Sequence, residues 1–431
     1  MRRKHVFKLG TVMLLTAMLC LSGCGGQKED IVNYDSSTGK TVEQMIDEKL
    51  NGTGQSGNET ILEESEENIV ELPEETQDVQ SIDDKAKAIL KEMTLEEKVY
   101  QMFIITPEDL TGYKSVNAST DITKGKLKEY PVGGLIYFAH NLINREQTTD
   151  MLKNTMKSAM ELQGMPIFLC VDEEGGRVAR VANNKSFGVE NVGTMADNAD
   201  KEKAYNSGAY IGEYLNELGF NVDLAPVADV ITNEKNKVIG ARSFGTEAKL
   251  VAECAVAYSD GLHSQSVLST FKHFPGHGAT EGDTHEGYAY TNKSYSELKE
   301  AELLPFAKAR NAGVDFIMVS HISVPSVVGD NTPCTLSHKM VTEVLRGDLE
   351  YDGLIMTDGL NMDAITKNYS QKEAAVKTVQ AGVDILLMPK DFHGAVEGIL
   401  EAVKNGEISE DRINDSVLRI IKAKLAMQTE Q

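Results

Sequence analysis

The stretch Val267-Leu268-Ser269-Thr270-Phe271-Lys272-His273-Phe274-Pro275-Gly276-His277-Gly278-Ala279-Thr280-Glu281-Gly282-Asp283-Thr284-His285 joins a strand to a site. Its first part, Val267–Phe274, is a continuous apolar run with β-branched residues, as expected of a strand buried on both faces. The run ends in Lys272 and His273 and passes into a loop. There Pro275, Gly276, Gly278 and Gly282 let the backbone fold tightly over a ligand. In that loop Asp283 stands two residues before His285, close enough for its carboxylate to orient the imidazole and raise its basicity. A buried strand that delivers such groups into a loop points to proton transfer.

Seven further runs have the same character: Met102–Thr106, Gly133–Phe138, Ile167–Asp172, Val222–Asp229, Phe316–Ile322, Gly353–Asp358 and Ile385–Pro389. Stretches with helical spacing separate most of them, among them Glu146–Leu162, Lys201–Leu218, Ala248–Gln265, Tyr295–Ala312 and Ser370–Ala381. Ser337 reads as a cap for a helix over Lys339–Arg346. Eight strands alternating with helices predict an α/β protein with a (β/α)8 TIM-type barrel, closed by a helix over Glu410–Met427. A doubly wound open sheet fits the alternation too. No Gly-x-Gly-x-x-Gly follows the first strand, which weakens its dinucleotide-binding form. No repeat of solenoid period is present.

Barrel active sites collect at the C-terminal ends of the strands. Asp172 ends the third strand and opens the run Asp172-Glu173-Glu174-Gly175-Gly176-Arg177-Val178-Ala179-Arg180. Lys272 and His273 end the fifth, His321 the sixth and Asp358 the seventh. A carboxylate at such a place is desolvated on one side and open on the other. Asp358 therefore suits attack on an electrophilic sugar carbon, or stabilisation of positive charge there; a helix N-cap is its bland alternative.

The beginning of the chain reads as an address. Arg2, Arg3, Lys4 and Lys8 precede an apolar run from Thr11 to Leu21, and Leu21-Ser22-Gly23-Cys24 follows. This resembles a bacterial lipoprotein signal over residues 1–23, with Cys24 lipidated. An exported protein on the outer face of the cell membrane, held by acyl chains, is expected. Residues 24–84 read as a disordered acidic linker: between Glu59 and Asp84 there are eleven acidic residues and no Lys or Arg. As a flexible coil it would reach roughly 40 Å. The formal net charge is −23, and −27 without the four basic residues of the signal, which argues against nucleic acid as a partner. Cys170, Cys254 and Cys334 are too few and too far apart for a disulfide framework or a zinc pattern.

Lys272–His285, the Asp172–Arg180 run, Gly240-Ala241-Arg242-Ser243-Phe244-Gly245 and Met356–Met362 together resemble glycoside hydrolase family 3. More narrowly they are similar to its β-N-acetylglucosaminidase (β-hexosaminidase) branch, from Lys85 to about Lys424. The resemblance implies a single catalytic domain over 85–431 that removes terminal β-linked N-acetylglucosamine with retention. It implies Asp358 as nucleophile, His285 as acid/base and Asp283 as the carboxylate that orients it. It places sugar-binding roles on Asp172, Arg180, Arg242, Lys272 and His273. No cofactor or metal is implied, and no oligomeric state. Muropeptides come first as substrate and chitin fragments second. Two positions depart from the family pattern: Thr284 stands where Ser is usual, and Gly359 follows the nucleophile where a second Asp is usual. A β-glucosidase or β-xylosidase of the same family is the nearest rival. A non-catalytic sugar-binding lipoprotein would need neither the Asp283–His285 pair nor Asp358. A zinc hydrolase would use His273, His277, His285 and Asp283 as ligands.

Overall fold

The structure is a computed structural model that describes residues 34–35, 40–41, 81–280, 282, 284, 287 and 289–429. The chain divides into the units Met1–Thr76 and Gln77–Gln431. In the first, the described residues are an antiparallel pair, Tyr34–Asp35 with Lys40–Thr41. The expectations for residues 1–23, for Cys24 and for most of 24–84 lie outside the described residues.

In the second unit each of the eight apolar runs contains a strand. These are β1 Phe103–Ile105, β2 Gly134–Tyr137, β3 Phe168–Val171 and β4 Val222–Asp223. They continue with β5 Thr270–Phe274, β6 Phe316–Val319, β7 Leu354–Thr357 and β8 Leu386–Leu387. Every residue of these strands is buried, which is why the runs are continuous rather than alternating. Pairing is parallel throughout, in two sheets of order β8-β1-β2-β3-β4 and β5-β6-β7. Single parallel bridges lie between them, at Val222↔Leu268, Val227↔Lys272 and Met356↔Ile385.

The α/β class is as expected, but the ladder is two sheets rather than one unbroken ring of eight strands. The breaks fall where the backbone cannot continue a strand. The expected run to Asp229 is cut at Asp223 because Pro226 has no N–H to donate. β8 stops at Leu387 because Met388 has φ 46°, outside the strand region.

Around the sheets pack α1 Ile82–Glu92, α2 Arg145–Gln163, α3 Lys201–Leu218, α4 Ala248–His263, α5 Gln371–Ala381, α6 Phe392–Lys404 and α7 Glu410–Thr429. α1 starts ahead of the expected domain boundary at Lys85, with Ser81 capping the Asp84 N–H. The contact between α3 and α4 needs glycine: a Cβ at Gly208 would sit 2.1 Å from the Tyr258 carbonyl oxygen, and one at Gly261 2.3 Å from that of Tyr205. The helix expected over Tyr295–Ala312 is two helices, Tyr295–Glu300 and Leu304–Ala309. Pro305 sits in the first turn of the second, where its missing N–H costs nothing, and its ring prevents a continuous helix. Ser337 accepts from the Met340 N–H at 3.4 Å, and the helix Lys339–Asp348 behind it is wound as a π-helix. Among the described residues no helix is long and apolar enough to cross a membrane.

The starts of the strands hold a second set of buried polar groups. Asp384, just before β8, accepts from Ser416 Oγ at 2.5 Å, from the Ile355 N–H at 3.0 Å and from Arg346. Lys424 on α7 is fully buried, with its Nζ 2.7 Å from Gln101 Oε1 and 5.2 Å from the centre of the Phe168 ring.

Candidate active site

The chain leaves β3 into Asp172 and a short hairpin, Glu173–Gly175 with Val178–Ala179. Gly175 (φ 88°) and Gly176 (φ 55°) make its turn, and a Cβ at Gly175 would lie 2.5 Å from the Gly193 carbonyl oxygen. Glu173 turns inward and fastens the hairpin. It accepts from the Val181 and Ala182 N–H groups and the Tyr214 hydroxyl, each at 2.8 Å. Its own N–H donates to Asp223 Oδ1 at 2.9 Å, which ties the hairpin to β4. Burial pushes both the Glu173 and Asp223 carboxyls upward.

This anchoring places Asp172 and Glu174 opposite Lys272 of β5. The lysine Nζ lies 2.8 Å from Asp172 Oδ1 and 2.7 Å from Glu174 Oε1, with the residue 2% exposed. Arg242, on the turn Gly240–Arg242, grips Glu174 with both arms, Nε at 2.8 Å and Nη2 at 2.6 Å. Such fork-on-fork pairs are short and directional. Burial pushes the Glu174 carboxyl up, but Lys272 and Arg242 outweigh it and hold the group below its ordinary range. Burial likewise opposes the charge on Lys272, and Asp172 and Glu174 outweigh it, so its pKa is raised. Arg180 completes the cluster at 3.5 Å from Asp172 Oδ2; its Nε is a buried donor with no partner among the described residues.

His273 Nδ1 faces Asp229 Oδ2 at 2.7 Å, and Asp229 Oδ1 accepts from the His277 N–H at 2.6 Å. A carboxylate at Nδ1 favours the proton there and leaves Nε2 for another partner. Burial raises the Asp229 carboxyl, but the hydrogen bonds and proximity of His273 and His277 outweigh it and the pKa is lowered. His277 itself is buried and pushed downward by desolvation. Its Nδ1 meets Thr280 Oγ1 at 3.0 Å and its Nε2 meets Thr284 Oγ1 at 3.2 Å. The Thr284 backbone carbonyl accepts from the Ala364 N–H at 3.3 Å. Its neighbours Asp283 and His285 lie outside the described residues.

Asp358 follows β7 and is half-buried. Its N–H donates to the Val319 carbonyl of β6 at 2.9 Å, and its Oδ1 accepts from the Gly359 N–H at 2.7 Å. His321 is buried beneath it, with Nδ1 against Thr335 Oγ1 at 2.8 Å and Nε2 against the Gly359 carbonyl at 2.9 Å. This histidine supports the turn after Asp358 rather than lining the cavity.

Asp172, Arg180, Arg242, Lys272, His273 and Asp358 all line one cavity of about 560 Å³ at the C-terminal ends of the strands. All six were expected to share a site. Glu174 and Asp229 were not singled out, although they hold Lys272, Arg242 and His273 in place. Among the described residues no group of three or more His, Cys, Asp or Glu side chains is arranged to hold a metal ion.

Comparisons with known proteins bear on what this cavity belongs to. Beta-hexosaminidase A of Pseudoalteromonas piscicida is 32% identical over 326 residues, covering 69% of this chain and 54% of that protein. Beta-hexosaminidase LpqI of Mycobacterium tuberculosis is 29% identical over 337 residues, covering 76% and 82%. A solved glycoside hydrolase family 3 beta-N-acetylglucosaminidase from Paenibacillus sp. str. FPU-7 superposes with a TM-score of 0.72 at 36% identity. That match covers 78% of this chain and 63% of the solved one. The chain thus spans about half the length of the first relative and under two thirds of the solved one. The model of the glycosyl hydrolase family 3 N-terminal domain matches residues 94–423, which include strands β1 to β8 and every residue of the cavity. The chain belongs to glycosyl hydrolase family 3.

Proposed function

We propose that this protein is a retaining exo-acting glycosidase that removes terminal β-linked N-acetylglucosamine. The observation that carries the reading is the shared cavity. A half-buried Asp358 faces a cluster in which Lys272, Arg242, His273 and Asp172 are already held by one another or by buried carboxylates. Donors fixed before substrate arrives suit sugar hydroxyls and an acetamido oxygen. Arg180 and Asp172 also line the cavity, one as a donor and one as an acceptor. The cavity volume lies in the range of small-ligand pockets.

In this reading Asp358 attacks the anomeric carbon while His285, oriented by Asp283, gives a proton to the departing oxygen. A covalent glycosyl-Asp358 results. The same histidine then takes a proton from water, which releases the sugar with its configuration retained. The relatives named as beta-hexosaminidases support N-acetylglucosamine over glucose as the terminal sugar. For an exported enzyme, muropeptides of the cell wall are the first substrate and chito-oligosaccharides the second.

The strands form a single (β/α)8 barrel in the wider sense, with bridges at Val222↔Leu268 and Met356↔Ile385 in support. Residues 1–23 serve as signal, 24–84 as linker and 85–431 as catalytic domain. Cys24 carries lipid that holds the enzyme to the outer face of the cell membrane; a Cys24→Ala chain that still incorporated labelled fatty acid would end that reading. The activity is tested with chromogenic β-N-acetylglucosaminide beside β-glucoside. The account expects cleavage of the first, and loss of turnover in Asp358→Ala. In His285→Ala the loss is smaller on leaving groups that need no proton. Full activity in both variants would overturn the mechanism.

A further inference from the structure

The floor of the cavity, formed by Lys272, Arg242, Asp172 and Glu174, is held by ion pairs, but the loop that leaves β5 is held by amides. β5 ends at Phe274, and the backbone carbonyls that follow need partners outside its ladder. Asn236, itself buried, donates from Nδ2 to the His277 carbonyl at 2.8 Å and to the Thr280 carbonyl at 3.4 Å. Asn233 donates from Nδ2 to the Thr280 carbonyl at 3.0 Å, and its backbone N–H donates to the Gly278 carbonyl at 3.2 Å. One segment therefore pairs the carbonyls of His277, Gly278 and Thr280. His277 and Thr280 are 2% and 1% exposed, so leaving these carbonyls unpaired would carry the full cost of their desolvation.

A primary amide suits this place because it donates and accepts at once. While Asn236 Nδ2 grips the loop, its Oδ1 accepts from the Ile239 N–H of its own segment at 3.0 Å. A carboxylate could do only the second. The two segments lie so close that a Cβ at Gly278 would sit 2.2 Å from the Val230 carbonyl oxygen. Val238 and Arg242, further along the clamping segment, line the cavity, so the loop is fastened to the cavity wall itself. On the other side the gripped His277 reaches Thr284 Oγ1 through Nε2, and Thr284 stands between Asp283 and His285 in the chain.

We propose that Asn236, assisted by Asn233, is a positioning residue for the proton transfer: it fixes the root of the loop that carries Asp283 and His285 against the cavity wall. Neither asparagine lines the cavity, so each acts through the loop. This role rests on the reading of His285 as the acid/base.

The test compares two aryl β-N-acetylglucosaminides on the full chain. Phenol needs a proton to depart, whereas 2,4-dinitrophenol leaves as its anion, so a fault in proton delivery falls on the first alone. In Asn236→Ala, kcat/KM on the phenyl glycoside is expected to fall about thirtyfold and on the dinitrophenyl glycoside less than about threefold. Inhibition by free N-acetylglucosamine, which reads the floor, stays within about twofold of wild type. Asn233→Ala, at a half-buried position that tolerates truncation, is expected to show a smaller loss of the same selectivity. Asn216→Ala cuts a similar amide-to-carbonyl bond, to Gln265 at the far end of α3, and keeps both rates. Equal losses on the two glycosides in Asn236→Ala and Asn233→Ala, or a weakened inhibition by the sugar that matches the loss of rate, would mark a merely structural role and overturn the proposal. Unchanged rates in both variants overturn it as well. His285→Ala separates this failure from that of the underlying reading: a selective loss there without one in the asparagine variants strikes the clamp alone. No selective loss in His285→Ala strikes the acid/base assignment, and the clamp with it.

Discussion

Lys272 and Lys424 are buried at opposite ends of the strands, and they are handled in opposite ways. Lys272, at the cavity, has two carboxylates within 3 Å and its pKa is raised. Lys424, where the strands begin, has an amide oxygen and an aromatic face, and burial pulls its pKa down to about 7. At the cavity the chain keeps charges in the interior and supplies partners for each. At the other end it tolerates a group that sheds its proton. Buried charge is costly unless paired, so Lys272 keeps its proton beside two carboxylates while Lys424, beside an amide and a ring, does not.

The comparison can be broken most severely at the cavity. Asp358→Ala is expected to lower kcat on an aryl β-N-acetylglucosaminide by a thousandfold or more, with the melting temperature little changed; residual activity within tenfold would remove the nucleophile. Glu174→Gln leaves Arg242 and Lys272 short of a buried partner and is expected to cost about 3 kcal/mol of stability by denaturant unfolding. A loss under 1 kcal/mol would mean that the cluster is not tightly coupled. Because the folded-state pKa of Glu174 is depressed, its contribution is present above the ordinary carboxyl range and is lost as pH falls through and below it.

Lys424 should show the same sign as Glu174, in a higher pH window. Between about pH 7 and the ordinary lysine value the unfolded chain binds a proton that the folded chain lacks, so stability rises with pH across that window. Lys424→Met should flatten the rise; an unchanged slope between pH 7 and 10 would mean the lysine is charged in the fold. The smallest effect is expected at the loop. Thr284→Ser keeps the hydroxyl that meets His277, and kcat/KM should stay within about threefold of wild type, whereas Thr284→Val should lower it further on poor leaving groups than on good ones.

The strands were legible because burial on both faces writes itself as unbroken apolar runs, and all eight are present. Their lengths were not. Pro226 and the left-handed Met388 shorten β4 and β8, and with them the ladder divides in two. Site residues at strand ends were legible for a related reason: a polar side chain closing an apolar run has few places to go except the cavity. Glu174 and Asp229 act through other side chains, and nothing in their spacing marks that role. Glu174 stood in the quoted run beside Asp172, where three successive carboxylates after a buried strand were a usable signal. Lys424 sits in a helical pattern where a lysine reads as solvated, and only the packing of α7 against Gln101 and Phe168 shows otherwise.

The central claim is that Asp358, backed by the paired charges of the floor, takes the sugar covalently. Incubation with a 5-fluoro-N-acetylglucosaminyl donor, followed by mass analysis of the digested protein, tests it most directly. The account predicts one added fluorosugar on the peptide that contains Asp358, and none in Asp358→Ala. A label on a different residue, or turnover of the donor with no labelled peptide at any time, would contradict it.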